Sequence, residues 1–227
     1  MKKILCGMLI VLCAFLVTGC GKETDAEKFK KEYEALNGQT IGNTKYEYPM
    51  VEISKTNAIK YASYDEVLEL LTNGTGVIYL GYESCPWCRS AVPTLLEAAE
   101  EVGIEEILYI NMKEERDQIK VKEDGTLEVV FEGTEGYKKL LTRLDSILDE
   151  YMLEDIHGNS ISANEKRIFV PLVVFVREGE IVSYHLDTVP SQENPFNGLN
   201  DEQKNELMDI YVSNMHKVLN DVCDTSC

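Results

Sequence analysis

The run Glu83-Ser84-Cys85-Pro86-Trp87-Cys88-Arg89 lies between an apolar stretch and an amphipathic one, and no other part of the chain constrains the fold as tightly. Before it, Gly76-Val77-Ile78-Tyr79-Leu80-Gly81-Tyr82 is short, β-branched and aromatic, which reads as a buried strand. After it, Val92, Leu95, Leu96, Ala99 and Val102 share one helical face over 89–102. A Cys-x-x-Cys therefore sits where a strand hands over to a helix N-terminus. Unpaired backbone N–H groups and the helix dipole favour a thiolate there, and the thiolate is the form that attacks disulfides.

The cysteine count bears on what the pair can be. Of seven cysteines, Cys6 and Cys13 fall in an N-terminal segment that reads as a targeting signal over 1–19. Lys2-Lys3 is its positive start, and 4–17 is an apolar stretch too short for a comfortable membrane span. It ends in Leu16-Val17-Thr18-Gly19-Cys20, which resembles the lipobox of bacterial lipoproteins and implies cleavage before Cys20 and lipidation of its thiol. Ordinary secretion with a chance cysteine is the plainer alternative. Four cysteines then remain, as Cys85/Cys88 and Cys223/Cys227, an even number that suits a disulfide-permissive compartment.

Cys85 and Cys88 admit three readings: a redox pair, a structural disulfide, or half of a zinc site. A structural zinc site needs about four ligands, and the other candidates are only Cys223/Cys227 and the scattered His157, His185 and His216. Redox chemistry is preferred, with no metal and no bound cofactor. Cys85, at the helix start, is expected to be the nucleophile, with a lowered pKa and an exposed sulfur; Cys88, one turn later, is the buried resolving thiol. Pro86 removes a backbone donor near the thiolate. Trp87 offers an apolar collar for a substrate peptide, and Arg89 a positive charge beside the site unless its long side chain is merely solvated. Cys223 and Cys227, at i,i+4 spacing, read as a local disulfide or as a second redox relay.

The remaining elements follow from periodicity and turn residues. Residues 20–45 are polar and read as a spacer, with a short helix suggested by Phe29, Tyr33 and Leu36. The folded part is expected from Tyr46 to Val222. It comprises a short strand at 59–62, a helix opened by the capping box of Ser63 and Glu66 and stopped at Asn73-Gly74, and a strand near 106–111. A hairpin around Asp124-Gly125 follows, then a helical stripe from Tyr137 through Leu148 to Tyr151. A strand–turn–strand pair over 172–184 and a final helix from Asp201 to Val222 complete it. Alternating strands and helices imply an α/β fold: a mixed central sheet with helices on both faces. Lys+Arg number 22 against Asp+Glu 40, a formal charge of −18. That balance argues against nucleic acid and against attraction to an anionic membrane surface.

Over 46–222 the chain resembles the thioredoxin superfamily. Four features match in order: the strand–CxxC–helix unit, Pro93 five residues after Cys88, Val170-Pro171 opening a strand, and Gly179 eight residues beyond that proline. Tyr82-x-x-Cys85-Pro86-Trp87-Cys88-Arg89 in particular resembles thioredoxin-like lipoproteins and bacteriocin-transport accessory proteins of Gram-positive bacteria. The resemblance implies a three-layer thioredoxin-like fold and a cis Val170–Pro171 bond that leaves the Val170 backbone free to pair with substrate. It also implies a membrane-anchored, extracytoplasmic, monomeric thiol–disulfide oxidoreductase for secreted or cell-envelope proteins and peptides, with electrons exchanged with a membrane partner or small thiols. The Pro-aromatic dipeptide is similar to that of glutaredoxins and implies a potential within about −270 to −120 mV. The alternative is a non-catalytic accessory or chaperone module for secreted peptides. Three departures stand out. Tyr79 replaces the family's buried Asp six residues before the first cysteine, with Glu83 either a substitute proton acceptor or a solvated carboxylate. Gly81 or Tyr82 stands where the family has Trp. Residues 113–167 form an insertion.

Overall fold

A computed structural model describes residues 22–219. The leader, Cys20 and the Cys223/Cys227 pair lie outside the described residues. Five strands form the central sheet: β1 (Ile59–Tyr61), β2 (Gly76–Gly81), β3 (Ile107–Asn111), β8 (Leu172–Arg177) and β9 (Glu180–Leu186). Their order is β1-β3-β2-β8-β9, with β1, β3 and β2 parallel and β8 and β9 antiparallel. The parallel strands need crossover helices, and these supply the outer layers. Helices α1 (Asp25–Glu34), α3 (Pro86–Val102) and α5 (Asp201–Leu219) cover the face bearing Val77, Tyr79, Tyr109 and Phe175. Helices α2 (Tyr64–Asn73) and α4 (Glu135–Leu144) cover the face bearing Ile78, Leu80, Ile110 and Val174. The expected mixed sheet with helices on both faces is therefore present.

Local signals set several boundaries. In α2 the Ser63 side chain accepts from the Glu66 N–H while the Glu66 carboxylate accepts from the Ser63 N–H, and the helix stops at Gly74. Gly179 turns β8 into β9 at φ +79°, and a Cβ there would stand 2.1 Å from the Thr72 carbonyl oxygen. Only glycine lets this turn lie against the end of α2.

Two expectations need correction. The spacer over 20–45 contains α1, whose capping box joins Thr24 and Glu27 and whose Phe29 and Tyr33 are wholly buried in the core. The folded part thus begins at Asp25, well before Tyr46. The Asn37 side chain pairs with both the N–H and the carbonyl of Val51, and Glu34 accepts from the Ile53 N–H, so the segment at 51–53 is laced to the end of α1. Only two core residues per ten distinguish α1 from a polar tether, which is why its composition misleads.

The helical stripe expected to reach Tyr151 ends at Leu144. A 3-10 turn (Asp145–Ile147) leads to Leu148 in extended backbone, and Tyr151 lies in β6 (Glu150–Glu154). This strand pairs with β7 (Ser160–Lys166), whose polar sequence gave no strand signal. Their turn is held by Asp155, which accepts from the N–H groups of His157 and Asn159 beside Gly158 at φ +81°. The other hairpin, β4 (Gln118–Val121) with β5 (Leu127–Phe131), forms as expected around Asp124-Gly125. Neither hairpin joins the main sheet. Yet α4, within the same 113–167 stretch, supplies Tyr137, Leu140 and Leu144 to the core, so this stretch is not a mere appendage.

Candidate functional site

Strand β2 ends at Gly81, and four residues later Cys85 caps α3 in extended backbone (φ −89°, ψ 117°). The cap sulfur faces the helix's free donors: the Cys88 N–H lies 3.4 Å from Cys85 Sγ. Pro86 occupies the first turn, where its missing N–H leaves no donor unmet. Pro93 lies inside α3 and deprives the Arg89 carbonyl of its helical donor. Both cysteines are free thiols.

Their ionisation is pulled apart. The Cys85 thiol is lowered from its ordinary value, chiefly by its hydrogen bond with the Cys88 side chain. The Cys88 and Trp87 N–H groups and the Arg116 guanidinium add to this, against the opposing effect of burial. The Cys88 thiol is raised well above the ordinary value by burial and by its bond with, and the charge of, Cys85. The site can thus present one thiolate and hold one thiol in reserve. Cys85 is nonetheless 6% accessible, so the expected exposed sulfur is corrected to a nearly covered one.

Part of that cover comes from the other end of the chain. The Val170–Pro171 peptide is cis, Pro171 is buried at the start of β8, and the Val170 carbonyl oxygen lies 3.8 Å from Cys85 Sγ. Trp87 is partly exposed beside the pair. Cys85, Cys88 and Val170-Pro171 are therefore brought together. His157 (β6–β7 turn), His185 (β9) and His216 (α5) lie on separate elements, and among the described residues no three His, Cys, Asp or Glu side chains gather as a metal site.

Arg89 is neither a charge beside the thiolate nor solvated. It is 1% exposed and donates to the carbonyls of Pro49 (2.9 Å), Tyr33 (2.7 Å) and Glu83 (3.2 Å) and to Asn37 Oδ1 (2.6 Å). It fastens α1 and the segment after it to the cysteine turn. The cation acting on Cys85 is instead Arg116, in the loop between β3 and β4; it donates to the Tyr82 hydroxyl (3.0 Å) and lies over that ring. Nothing in Glu114-Glu115-Arg116-Asp117 distinguishes it in the sequence from a solvated charge.

Glu83 fits neither expectation. Its carboxylate accepts from Asn111 Nδ2 (2.9 Å) and Lys113 Nζ (3.0 Å). Burial raises its pKa, but these bonds outweigh burial and hold it below the usual value. It is a paired anion in the turn wall. The Ser90 hydroxyl, also missed, accepts from Gln192 Nε2 (3.0 Å), and Gln192 Oε1 in turn accepts from the Thr188 hydroxyl. This chain of bonds holds the loop after β9 against the first turns of α3. Beneath Cys88, Tyr79 is wholly buried, with its hydroxyl 2.9 Å from that of Tyr33.

No protein-family model matches the chain, and no curated protein matches it. Among the described residues no helix is long and apolar enough to cross a membrane; the Cys20 lipidation motif falls outside them.

Proposed function

We propose that the chain is a thiol–disulfide oxidoreductase on a thioredoxin-like scaffold, with Cys85 as nucleophile and Cys88 as resolving thiol. The observation that carries this reading is the opposite displacement of two thiols one helical turn apart, beside a backbone carbonyl of a cis-proline segment. The sheet order and the cis bond both support the thioredoxin-like reading.

In the reducing direction the Cys85 thiolate attacks one sulfur of a substrate disulfide. That S–S bond breaks, and the departing substrate thiolate takes a proton from water. Cys88, deprotonated, then attacks Cys85 of the mixed disulfide. The second substrate thiolate leaves and is protonated, the substrate has gained two electrons, and a Cys85–Cys88 disulfide has formed. A membrane redox partner or small thiols would restore the dithiol, and the reverse sequence oxidises a substrate. Trp87 and the Val170 backbone would receive an extended protein or peptide chain. The leader and Cys20 would place the enzyme, lipid-anchored, on the outer face of a cell membrane.

Insulin reduction tests the reading. Cys85→Ser should abolish turnover, and Cys88→Ser should trap mixed disulfides through Cys85, visible on non-reducing gels. Wild-type turnover by Cys85→Ser would overturn it. The peptide-holding alternative is favoured by one feature, the exposure of Val129, Val130 and Phe131 along β5. It requires a Cys85→Ser/Cys88→Ser protein to suppress aggregation of an unfolded chain as well as wild type does.

A further inference from the structure

We propose that Asp117 and Arg167 are positioning residues for substrate: together they hold the Val170–Pro171 segment in its place beside Cys85. The proposal rests on the oxidoreductase reading. It gives the 113–167 stretch a part in that reading, the seating of the protein or peptide chain that Val170 would receive.

The Val170 carbonyl oxygen lies 3.8 Å from Cys85 Sγ, so whatever fixes this segment shapes the site. On one side the sheet fixes it. The Pro171 carbonyl accepts from the Asp187 N–H at 2.8 Å, and Leu172 pairs with both Leu80 and Leu186. On the other side, residues 168–170 make no backbone–backbone hydrogen bond among the described residues. That leaves the Val170 N–H for a substrate strand, and it leaves the segment with no ladder to hold it.

The hold comes through Arg167, just before this segment. Arg167 Nη2 donates to the Asp117 carbonyl at 2.6 Å, and Arg167 Nε stands 3.6 Å from Asp117 Oδ1. The guanidinium lies over the Tyr151 ring, 4.1 Å from its centroid, and Phe169 meets the same ring edge-on at 6.1 Å. Asp117 is buried and is itself fixed by the Tyr137 hydroxyl, which donates to Oδ1 at 2.5 Å. The β3–β4 loop, α4 and β6 therefore converge on one arginine. The neighbour of Asp117 carries the same loop to the cysteine side. Arg116 donates to the Tyr82 hydroxyl at 3.0 Å, and the Tyr82 carbonyl accepts from the Cys85 N–H at 3.2 Å. Two adjacent residues thus grip two halves of the site that are 85 residues apart in sequence.

Stability alone does not account for the Asp117–Arg167 pair. Asp117 Oδ2 and Arg167 Nε are buried without a hydrogen-bond partner, and a buried ion pair so incompletely bonded contributes little over apolar packing. What the pair supplies is direction. A planar guanidinium with one edge on a carbonyl and its face on a ring has little freedom to turn.

Two substitutions test this. Arg167→Lys keeps the charge and loses the planar fork and the stacking. Asp117→Asn keeps the shape and an acceptor for Tyr137 and loses the ion pair. Each is assayed with insulin and with hydroxyethyl disulfide, which has no peptide backbone for Val170 to meet. Either substitution should raise KM for insulin about tenfold relative to KM for hydroxyethyl disulfide. Iodoacetamide should alkylate Cys85 severalfold faster, because the segment covering its sulfur is loosened, while Cys88 stays protected. Two KM values that change together, or a Cys85 alkylation rate that moves in neither variant, overturn the proposal. Equal acceleration at Cys88 would mean a general loss of fold and would likewise overturn it. A wild-type chain that reduces neither disulfide overturns the oxidoreductase reading instead, and the alkylation rates then still decide what holds the segment.

Discussion

Val77 and Tyr79 of β2 point to one face of the sheet, Ile78 and Leu80 to the other, and the two faces are built to different ends. The first face gathers the phenols of Tyr33, Tyr79, Tyr109 and Tyr211 under the cysteine helix. The second is almost wholly aliphatic, from Val67 and Leu71 through Ile110 to Leu140 and Leu144. Its one buried phenol, Tyr137, donates to Asp117 at 2.5 Å, away from the thiols. Polar atoms are costly inside a core unless bonded. Their concentration on one face puts the core's phenols on the side of the cysteine helix, and the other face is left to aliphatic packing.

The comparison breaks if the two faces cannot be perturbed separately. Ile78→Ala, on the aliphatic face, should lower stability by about 2–5 kcal/mol. The Cys85 and Cys88 titrations should stay where they were. Urea unfolding beside the thiolate titration checks both halves; a thiol midpoint that moves with Ile78 would join the faces into one system.

The phenol-lined face should show its own pH dependence. The Cys88 thiol is raised in the folded state, so stability is intact below the unfolded thiol value of about 8.5 and falls as pH climbs toward the folded value. Reduced protein should lose about 1.4 kcal/mol per pH unit in that window. Cys85 has the opposite sign: its lowered thiol contributes stability present above about 8.5 and lost as pH falls through its folded value. Unfolding of reduced wild type and Cys88→Ala at alkaline pH separates these; equal slopes would refute the assignment. The smallest effect belongs to the cap of α2. Ser63→Ala should cost about 1 kcal/mol, with the thiols unmoved, by the same two measurements.

The elements read correctly from the sequence are those whose signal is local. Ser63 and Glu66 are three residues apart, Asp124-Gly125 makes its own turn, and the Cys85–Cys88 cap needs only the helix it starts. The misread features depend on partners far along the chain. The burial of Arg89 is decided by the carbonyls of Tyr33, Pro49 and Glu83, and no window around Arg89 contains all three. Arg116 acquires its meaning from Tyr82, and β7 is held as a strand by pairing with β6 despite its polar sequence. In α1 two buried rings outweigh a surface of lysines and glutamates, which a composition average conceals.

The reach of Arg89 also governs where new sequence can be added. Its guanidinium grips Tyr33 and Asn37 on one side of the loop at 38–48 and Pro49 on the other, so both feet of that loop stand on the cysteine helix. Within the loop, the Ile41 N–H donates to Tyr46 and the Tyr48 N–H to Gln39, leaving a tip at 42–45 that carries no part of the core. Lengthening a loop whose ends are already held costs only about 0.6 kcal/mol per doubling. The tip is therefore a natural splice point, where a grafted peptide would hang from the scaffold that carries the two thiols and leave their anchorage untouched.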